Sequence, residues 1–243
     1  MIGCLTNNCE AQILKYDKTK NMELNLKQDI TILGYSGAYL ALLFESLSAL
    51  NYCGKVTIII NEKEKRAVAP FETNISFSEI YYSDVELDSK NSFLICSNKP
   101  STKKFLFNFY DKLWKINFED FIPLVHPSSV VSSSVIKSPG LQIEPLSLIA
   151  PYTKIGFGVN ISRNCSIGHH NIINDYCSIY AGSNIAGFAE IGEGTTIGPG
   201  TTVFSNVKIG SNSIIGGGSV VSKDIPSNVL AYGNPCIVVK NLS

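Results

Sequence analysis

The feature that most constrains the fold is a six-residue repeat in the second half of the chain. Every sixth residue from Ile143 to Val221 is isoleucine or valine. From Ser147 to Ser219, the residue four positions after each of these is Ser, Thr, Ala, Cys or Val, with Asn171 as the exception. This period fits neither an α-helix nor an isolated strand, but it is typical of a parallel β-helix with triangular coils. We expect residues 143–225 to form about four and a half left-handed coils, with Val131 and Val135 in an irregular first coil.

The first half of the chain has a different pattern. A short apolar strand beginning at Ile30 is followed by the turn Gly34-Tyr-Ser-Gly37 and a helical segment of about 15 residues. A second apolar strand begins at Lys55, and a third, beginning at Ser92, leads into a helix over about 101–116. A glycine turn at the end of a strand brings helix amides to a place where they can hold phosphate, although many such turns serve packing alone. The order of elements predicts a small parallel α/β domain.

The predicted fold is therefore an α/β N-terminal Rossmann-like domain plus a C-terminal left-handed parallel β-helix. The boundaries we expect are an N-terminal extension over 1–28, the Rossmann-like domain over 29–125, the β-helix over 126–225 and a C-terminal tail over 226–243. The extension matches neither pattern, and a hairpin is one interpretation of it.

Composition excludes several classes of function. Lys+Arg and Asp+Glu number 20 each, so the formal net charge of zero argues against nucleic acid or an anionic membrane as partner. No apolar segment approaches the roughly 20 residues of a transmembrane helix, and the first residues do not resemble a signal peptide. The seven cysteines include no Cys-x-x-Cys pair, which argues against a disulfide framework or a zinc site and favours the cytoplasm.

Histidine is the residue type best suited to acid–base chemistry near neutral pH, and this chain has three: His126, His169 and His170. The adjacent pair falls at a predicted corner of the β-helix. Gly187 stands 18 residues after His169, one coil further on, and leaves room beside its ring. Solvated corner residues without a role are the alternative interpretation. Adjacent histidines that point in different directions do not form a ligand set, so no metal is predicted.

The glycine turn, the His126-Pro-Ser-Ser junction, the hexads and the final Gly233-Asn-Pro together resemble one family. The chain is similar, over about residues 29–240, to the bacterial two-domain nucleotide-sugar N-acetyltransferases and their relatives, the sialic acid O-acetyltransferases. These belong to the hexapeptide-repeat acyltransferase superfamily.

The resemblance implies a homotrimer in which acetyl-CoA lies between neighbouring β-helices and His169 is the catalytic base. It also implies that the N-terminal domain binds the nucleotide part of a sugar donor. The residues it assigns to the nucleotide-linked sugar are Ser36, Gly37, Ala38, Asn61 and Glu62, and those it assigns to the cofactor are Ser178, Gly187, Pro199 and Gly217.

Three positions depart from the family pattern. His170 replaces the acidic residue that usually follows the catalytic histidine, and we expect it to have a secondary, orienting role. Ser178 replaces a second histidine that touches the cofactor. Ala38 replaces the histidine that commonly ends the glycine turn.

We therefore expect an acetyl-CoA-dependent N-acetyltransferase that acts, without a metal, on a nucleotide-linked amino sugar, a 4-amino-4,6-dideoxy sugar for surface glycan synthesis. One alternative is O-acetylation of sialic acid or another sugar, because an alcohol acceptor also needs one base. Another alternative is a catalytically silent trimeric nucleotide-sugar binding protein. The nucleotide, the sugar stereochemistry and acyl donors other than acetyl-CoA stay open.

Overall fold

A computed structural model describes residues 24–61, 73–85 and 92–242 of the chain. The predicted site residue Glu62 and most of the extension over 1–28 lie outside the described residues. No helix among the described residues is both long and apolar enough to cross a membrane.

The N-terminal domain is a parallel sheet with strand order β3-β2-β1-β4 in the described residues. Its strands and helices are β1 (Ile30–Leu33), α1 (Gly37–Ala49), β2 (Val56–Ile60), β3 (Phe77–Tyr81), β4 (Ser92–Ile95) and α2 (Pro100–Trp114), with 3-10 turns at Tyr82–Asp84 and Phe118–Asp120. The predicted Rossmann-like α/β domain is confirmed. Sequence reasoning missed β3, because its side chains are exposed or half-buried at the sheet edge and form no apolar run.

Local sequence explains the helix ends. Pro100 occupies the first turn of α2, where its missing N–H costs no hydrogen bond, and Lys115 ends the helix in the left-handed conformation with φ 57°. The helix α1 begins directly after the glycine turn. Gly34 has φ +90°, and a Cβ there would lie 2.9 Å from a methyl group of Leu106, so both backbone angle and space require glycine.

The second half is a left-handed parallel β-helix, as predicted. Its three faces are built from two-residue strands that pair in parallel with the strands 18 residues before and after. The strands are β5 (Leu124–Val125), β6 (Val130–Val131), β7 (Ile136–Lys137), β8 (Gln142–Ile143), β9 (Leu148–Ile149), β10 (Lys154–Ile155), β11 (Asn160–Ile161), β12 (Ser166–Ile167), β13 (Ile172–Ile173), β14 (Ser178–Ile179), β15 (Asn184–Ile185), β16 (Glu190–Ile191), β17 (Thr196–Ile197), β18 (Thr202–Val203), β19 (Lys208–Ile209), β20 (Ile214–Ile215) and β21 (Val220–Val221).

The faces follow one another along the chain. We call the sheet that contains β8, β11 and β14 the first face, the sheet with β9, β12 and β15 the second, and the sheet with β10, β13 and β16 the third. Regular strand pairing starts at β5, well before the Ile/Val run at Ile143. At the other end, the first face continues into β22 (Val229–Tyr232), which pairs antiparallel with β23 (Ile237–Asn241).

Two columns of side chains fill the prism. The Ile and Val residues of the hexad are fully or almost fully buried in one continuous core. The small residues lie at the inner corners, where their hydroxyl groups donate hydrogen bonds to a main-chain carbonyl about one coil ahead. Examples are Ser147 to Ser162 (2.8 Å), Thr153 to Gly168 (2.8 Å) and Thr195 to Gly210 (2.7 Å). The small-residue column therefore ties the coils together, because each buried hydroxyl finds an acceptor.

The two halves share a buried contact. Phe157 and Tyr176 lie at the corner between the third and first faces, which we call the aromatic corner, and pack into an apolar cluster of the N-terminal domain that includes Phe107 and Phe121. Polar groups cross the same contact. Gln142 Nε2 donates to the Ile95 carbonyl at 2.9 Å, Gln142 Oε1 accepts from Tyr39 Oη, and Asn160 Nδ2 donates to Tyr39 Oη at 2.9 Å. The first face thus holds the N-terminal domain.

Candidate active site

A cavity of about 410 Å³ opens at the carboxyl ends of β1, β2 and β4. Its lining residues come from the three strand ends and from the first turns of α1 and α2: Gly34, Tyr35, Ser36, Tyr39, Ile60, Asn61, Cys96, Ser97, Asn98, Lys99, Thr102, Phe105 and Leu106. Ser36 and Asn61 were predicted from the sequence. Gly37 and Ala38 are the next residues of α1 but do not line the cavity.

The start of α1 provides features that favour the binding of an anion in this cavity. Ser36 precedes the helix in an extended conformation, its side chain caps no helix amide, and the first turn carries no acidic residue. The first amides of the helix therefore have no intrahelical or capping partner and carry the positive end of the helix dipole. Lys99 and Thr102 also line the cavity. Such an arrangement suits a phosphate group.

The two adjacent histidines lie at the corner between the second and third faces, which we call the histidine corner. Both side chains are exposed, and their Nδ1 atoms are 3.0 Å apart. The ring of His169 lies directly against Gly187, where a Cβ would be 2.8 Å from Cε1. Glycine at this position is therefore required for the observed ring position.

Aromatic rings support the corner from the third-face side. His170 and Phe188 both have positive φ, 56° and 62°, at equivalent positions of successive coils. Their rings stack with centroids 4.9 Å apart, and Tyr152, one coil earlier, lies 4.9 Å from His170. Phe188 also contacts the His169 ring edge-to-face at 5.0 Å. The ring of His169 is thus confined between Gly187 and its aromatic neighbours.

Asn171, the exception in the small-residue column, lies just after the histidine pair. Its Nδ2 donates to the Gly168 carbonyl at 2.7 Å, and its Oδ1 accepts from the Ala189 amide at 2.6 Å. The fully buried side chain therefore links the backbone on both sides of the stacked corners that hold His169 and Gly187. The sequence shows Asn171 as the exception in its column but does not show that it links the two coils. Its position directly after two histidines was the signal that could have indicated a role at the site.

The four residues assigned to the cofactor do not lie together. Gly187 belongs to the histidine corner, whereas Pro199 and Gly217 are exposed on successive coils of the corner between the first and second faces, which we call the proline corner. Ser178 lies in neither place, because it is on the first face, 1% exposed, under the N-terminal domain. The prediction of Ser178 as an accessible cofactor contact has to be corrected for this reason.

Ser178 instead belongs to a buried polar cluster between the domains. Its hydroxyl donates to the Asn98 carbonyl and accepts from Lys103 Nζ at 3.1 Å. Lys103 Nζ also donates to the Cys177 carbonyl at 3.1 Å. Burial lowers the pKa of Lys103 from 10.5 to about 7, because the charged form loses its hydration. Sequence reasoning missed this lysine, because its position in a helix predicts a solvated charge.

The third histidine has a local role. His126 Nδ1 contacts the hydroxyl of Ser128 at 2.8 Å and accepts from the Ser128 amide at 3.1 Å, in the turn between β5 and β6. The described residues contain no cluster of three or more His, Cys, Asp or Glu side chains that could hold a metal ion.

Comparisons with known proteins fit this architecture. The family model described as bacterial transferase hexapeptide (six repeats) matches residues 172–205 and 188–223. No curated protein matches the sequence significantly. Among solved structures, the acetyltransferase domain of PglB from Neisseria gonorrhoeae FA1090 has a TM-score of 0.74 at 18% identity, covering 88% of this chain and 100% of that one. It has also been solved in complex with acetyl coenzyme A.

A second similar structure is perosamine N-acetyltransferase from Caulobacter crescentus, a variant with one histidine replaced by asparagine, in complex with CoA and GDP-perosamine. Its TM-score is 0.70 at 23% identity, covering 90% of this chain and 100% of that one. WeeI from Acinetobacter baumannii AYE follows with a TM-score of 0.61 at 18% identity, covering 87% and 100%. The chain has the two-domain fold of these proteins. The resemblance inferred from sequence is confirmed at the level of the fold and of the hexapeptide repeats.

Proposed function

We propose that the chain is an acetyl-CoA-dependent N-acetyltransferase that acts on a nucleotide-linked amino sugar, with His169 as its general base. The observation that carries the proposal is an exposed histidine seated against Gly187 in a fold shared with an N-acetyltransferase that binds CoA and GDP-perosamine. In that relative a histidine was the residue chosen for replacement. A cavity suited to phosphate in the N-terminal domain supports a nucleotide-linked acceptor.

In the reaction, the sugar amine attacks the thioester carbonyl of acetyl-CoA. A C–N bond forms, the C–S bond breaks, and CoA leaves as the thiol. His169 accepts the amine proton at Nε2, the ring nitrogen that does not face His170. It then returns a proton to the departing sulfur. Proton transfer by a positioned side chain contributes about 10²–10⁴-fold to the rate.

The nucleotide would lie in the cavity of the N-terminal domain. Gly37 and Ala38 do not line the cavity, but their amides follow Ser36 at the start of α1 and would hold the part of the diphosphate that extends past Ser36. Asn61 would contact the nucleoside. These assignments are supported by the uncapped helix start and by the position of Ser36 and Asn61 in the cavity lining.

The proposed cofactor site requires more than one chain. Gly187 and the pair Pro199 and Gly217 lie at different corners of one prism, so a cofactor that contacts both needs two neighbouring prisms. His169 is likewise separated by the third face from the aromatic corner that holds the N-terminal domain. A homotrimer, with the histidine corner of one chain near the cavity of the next, would bring these groups together. Light scattering that showed a monomer at micromolar concentration would exclude this arrangement.

The biological setting proposed is surface glycan synthesis in the cytoplasm, where acetyl-CoA and nucleotide sugars are available. The five cysteines among the described residues are all free thiols, which supports a reducing compartment.

The test is CoA release from acetyl-CoA in the presence of nucleotide-linked 4-amino sugars, with nucleotide-linked and free hydroxyl sugars, sialic acid included, in parallel. We expect turnover on an amino sugar that falls at least about 10²-fold in His169→Asn. His126→Asn is the matched control and should keep wild-type turnover. If only hydroxyl sugars are turned over, the activity is O-acetylation and the proposed N-acetylation is wrong. Nucleotide binding without any turnover would indicate a catalytically silent binding protein.

A further inference from the structure

A chain of buried hydrogen bonds connects the β-helix to one wall of the cavity in the N-terminal domain. Lys103 Nζ donates to the Cys177 carbonyl and to Ser178 Oγ, and Ser178 Oγ donates to the Asn98 carbonyl. Asn98 belongs to residues 96–99, which we call the connecting segment because they join β4 to α2. All four residues of the connecting segment line the cavity. The contact between the domains therefore reaches the cavity wall directly.

The connecting segment is held at three points. At its start, the Cys96 amide donates to the Leu33 carbonyl at 3.0 Å, and at its end the Lys99 carbonyl accepts from the Lys103 amide at 3.0 Å. Its middle is held from the first face of the prism, through the bond from Ser178 to the Asn98 carbonyl. The shape of this wall consequently depends on a residue outside the N-terminal domain.

Donor counting favours the neutral form of the Lys103 amine in this chain of hydrogen bonds. A serine hydroxyl has one proton to donate, and Ser178 gives it to the Asn98 carbonyl, so Ser178 Oγ accepts from Lys103. In the described part of the chain, the structure gives Nζ two acceptors, Ser178 Oγ and the Cys177 carbonyl. A neutral amine has two N–H groups for them, whereas an ammonium group has a third. Because a buried donor without an acceptor is costly, protonation should draw Lys103 out of the contact.

The surrounding charges do not replace Lys103 in this role. Burial raises the pKa of the Cys177 thiol to about 12, so the thiol stays neutral near pH 7. The other charged groups at this contact are Asp175 and Glu193 on the prism, which act on the Cys177 thiol, and Lys99 and Lys104 on the N-terminal side. Glu193 forms its ion pair with the exposed Lys104, at 2.7 Å. Burial lowers the pKa of Lys103 to about 7, so its change of form falls near neutral pH.

We infer that Lys103 and Ser178 are positioning residues of the cavity, which hold the connecting segment in the shape that binds a nucleotide-linked ligand. The inference rests on the proposed function in taking the cavity as a nucleotide site. Because the chain of hydrogen bonds forms with the neutral amine, a ligand that needs the ordered segment competes with the proton on Lys103. The affinity should therefore decrease as the pH falls below about 7, by at most about tenfold per pH unit.

The test is calorimetric binding of UDP-glucose, dTDP-glucose and GDP-mannose to the full-length protein at about pH 6, 7 and 8, without acetyl-CoA. These ligands have no terminal phosphate, the group that would itself titrate near pH 6. We expect the tightest of the three to bind about tenfold more weakly at pH 6 than at pH 8. Lys103→Met, which removes the titrating amine, should show a change of about threefold or less. Lys104→Met, at the exposed neighbouring position of α2, should keep the wild-type pH dependence.

Ser178→Ala tests the link to the connecting segment separately. It keeps Lys103 but removes the bond to the Asn98 carbonyl, so binding at pH 8 should weaken about three- to tenfold. Ser166→Ala, at an exposed position of the second face, is the matched control and should bind as the wild type does. Wild-type affinity in Ser178→Ala would overturn the inference.

Hydrogen exchange of residues 96–102 tests the positioning without any ligand. After correction for the intrinsic pH dependence, the wild type should exchange faster at pH 6 than at pH 8, and Lys103→Met should not show this difference. Equal exchange at both pH values in the wild type, or the same pH dependence of binding in wild type and Lys103→Met, would overturn the inference and leave the proposed function intact. If none of the three sugar nucleotides binds, the nucleotide site of the proposed function is wrong, and the exchange measurement still decides whether Lys103 orders the segment.

Discussion

The β-helix and the N-terminal domain present functional side chains in two different ways. In the β-helix, the inner columns are occupied by Ile, Val and small residues, so chemistry is confined to the corners. In the N-terminal domain, the cavity collects side chains from three strand ends and two helix starts that are far apart in sequence. In the β-helix, residues 18 positions apart in the sequence are neighbours on successive coils, so the neighbours can be read from the sequence. In the N-terminal domain, the neighbours are determined by tertiary packing and cannot be read from the sequence in this way.

The largest expected effect concerns the contact between the two regions. Phe157→Ala should lower the free energy of unfolding by about 3–5 kcal/mol, because it leaves a cavity where the aromatic corner meets Phe107 and Phe121. Phe204→Ala, at an exposed corner of the same prism, should change it by about 0.5 kcal/mol or less. Urea unfolding followed by circular dichroism measures both. Equal effects would mean that the regions are joined by other contacts.

A smaller effect tests the geometry of the histidine corner. Gly187→Ala places a methyl group 2.8 Å from the His169 ring and must displace it, so kcat should fall about 10²-fold at unchanged thermal stability. Ser205→Ala, at the equivalent position one coil further on, should have no effect on kcat. If Gly187→Ala kept full activity, the position of the His169 ring would not matter for transfer.

Lys103, buried at the contact between the domains, should make the free energy of unfolding depend on pH, whereas a lysine on the solvated prism surface should not. Because burial lowers the pKa of Lys103 from 10.5 to about 7, the unfolded chain binds a proton between these pH values that the folded chain lacks. Its contribution to the free energy of unfolding should therefore increase with pH across this window, by at most about 1.4 kcal/mol per pH unit. Below pH 7 both states are protonated and the burial cost is present in full.

Lys103→Met removes this titration, so its unfolding midpoint in urea should rise less than that of the wild type between pH 7 and about 9. Lys104→Met is the control, because the Lys104–Glu193 ion pair of 2.7 Å is largely exposed and contributes little. Parallel pH profiles of wild type and Lys103→Met would show that the lysine is hydrated in solution.

The smallest expected effect concerns His170. His170→Asn tolerates the positive φ at this position but loses the contact with His169 Nδ1 and the stacking on Phe188. Loss of one hydrogen bond predicts a decrease in kcat of about tenfold or less. Tyr152→Asn, at the equivalent position one coil earlier, loses only a ring contact with His170 and should lower kcat less than His170→Asn does. A decrease as large as that of His169→Asn would make His170 the base.

The sequence allowed the β-helix, its corners and the pairing of His169 with Gly187 to be predicted, because each follows from the hexad period. The α/β domain was predicted from its apolar strands and glycine turn, but β3 was not, since an edge strand needs no apolar run. Ser178 was misassigned because the period places it on the first face without showing that the N-terminal domain covers that face. The contacts of Lys103 with Cys177 and Ser178 depend on packing between distant segments, which no local pattern encodes.

The most direct test of the central claim, one transfer site built from the histidine corner of one chain and the cavity of another, is activity in mixed oligomers. His169→Asn and Ser36→Trp chains, each inactive alone, would be co-expressed and assayed for CoA release with the best amino-sugar substrate. We predict that turnover reappears in the mixture, because some sites combine an intact cavity with an intact histidine. An active wild type with no turnover in the co-purified mixed oligomer would contradict the account.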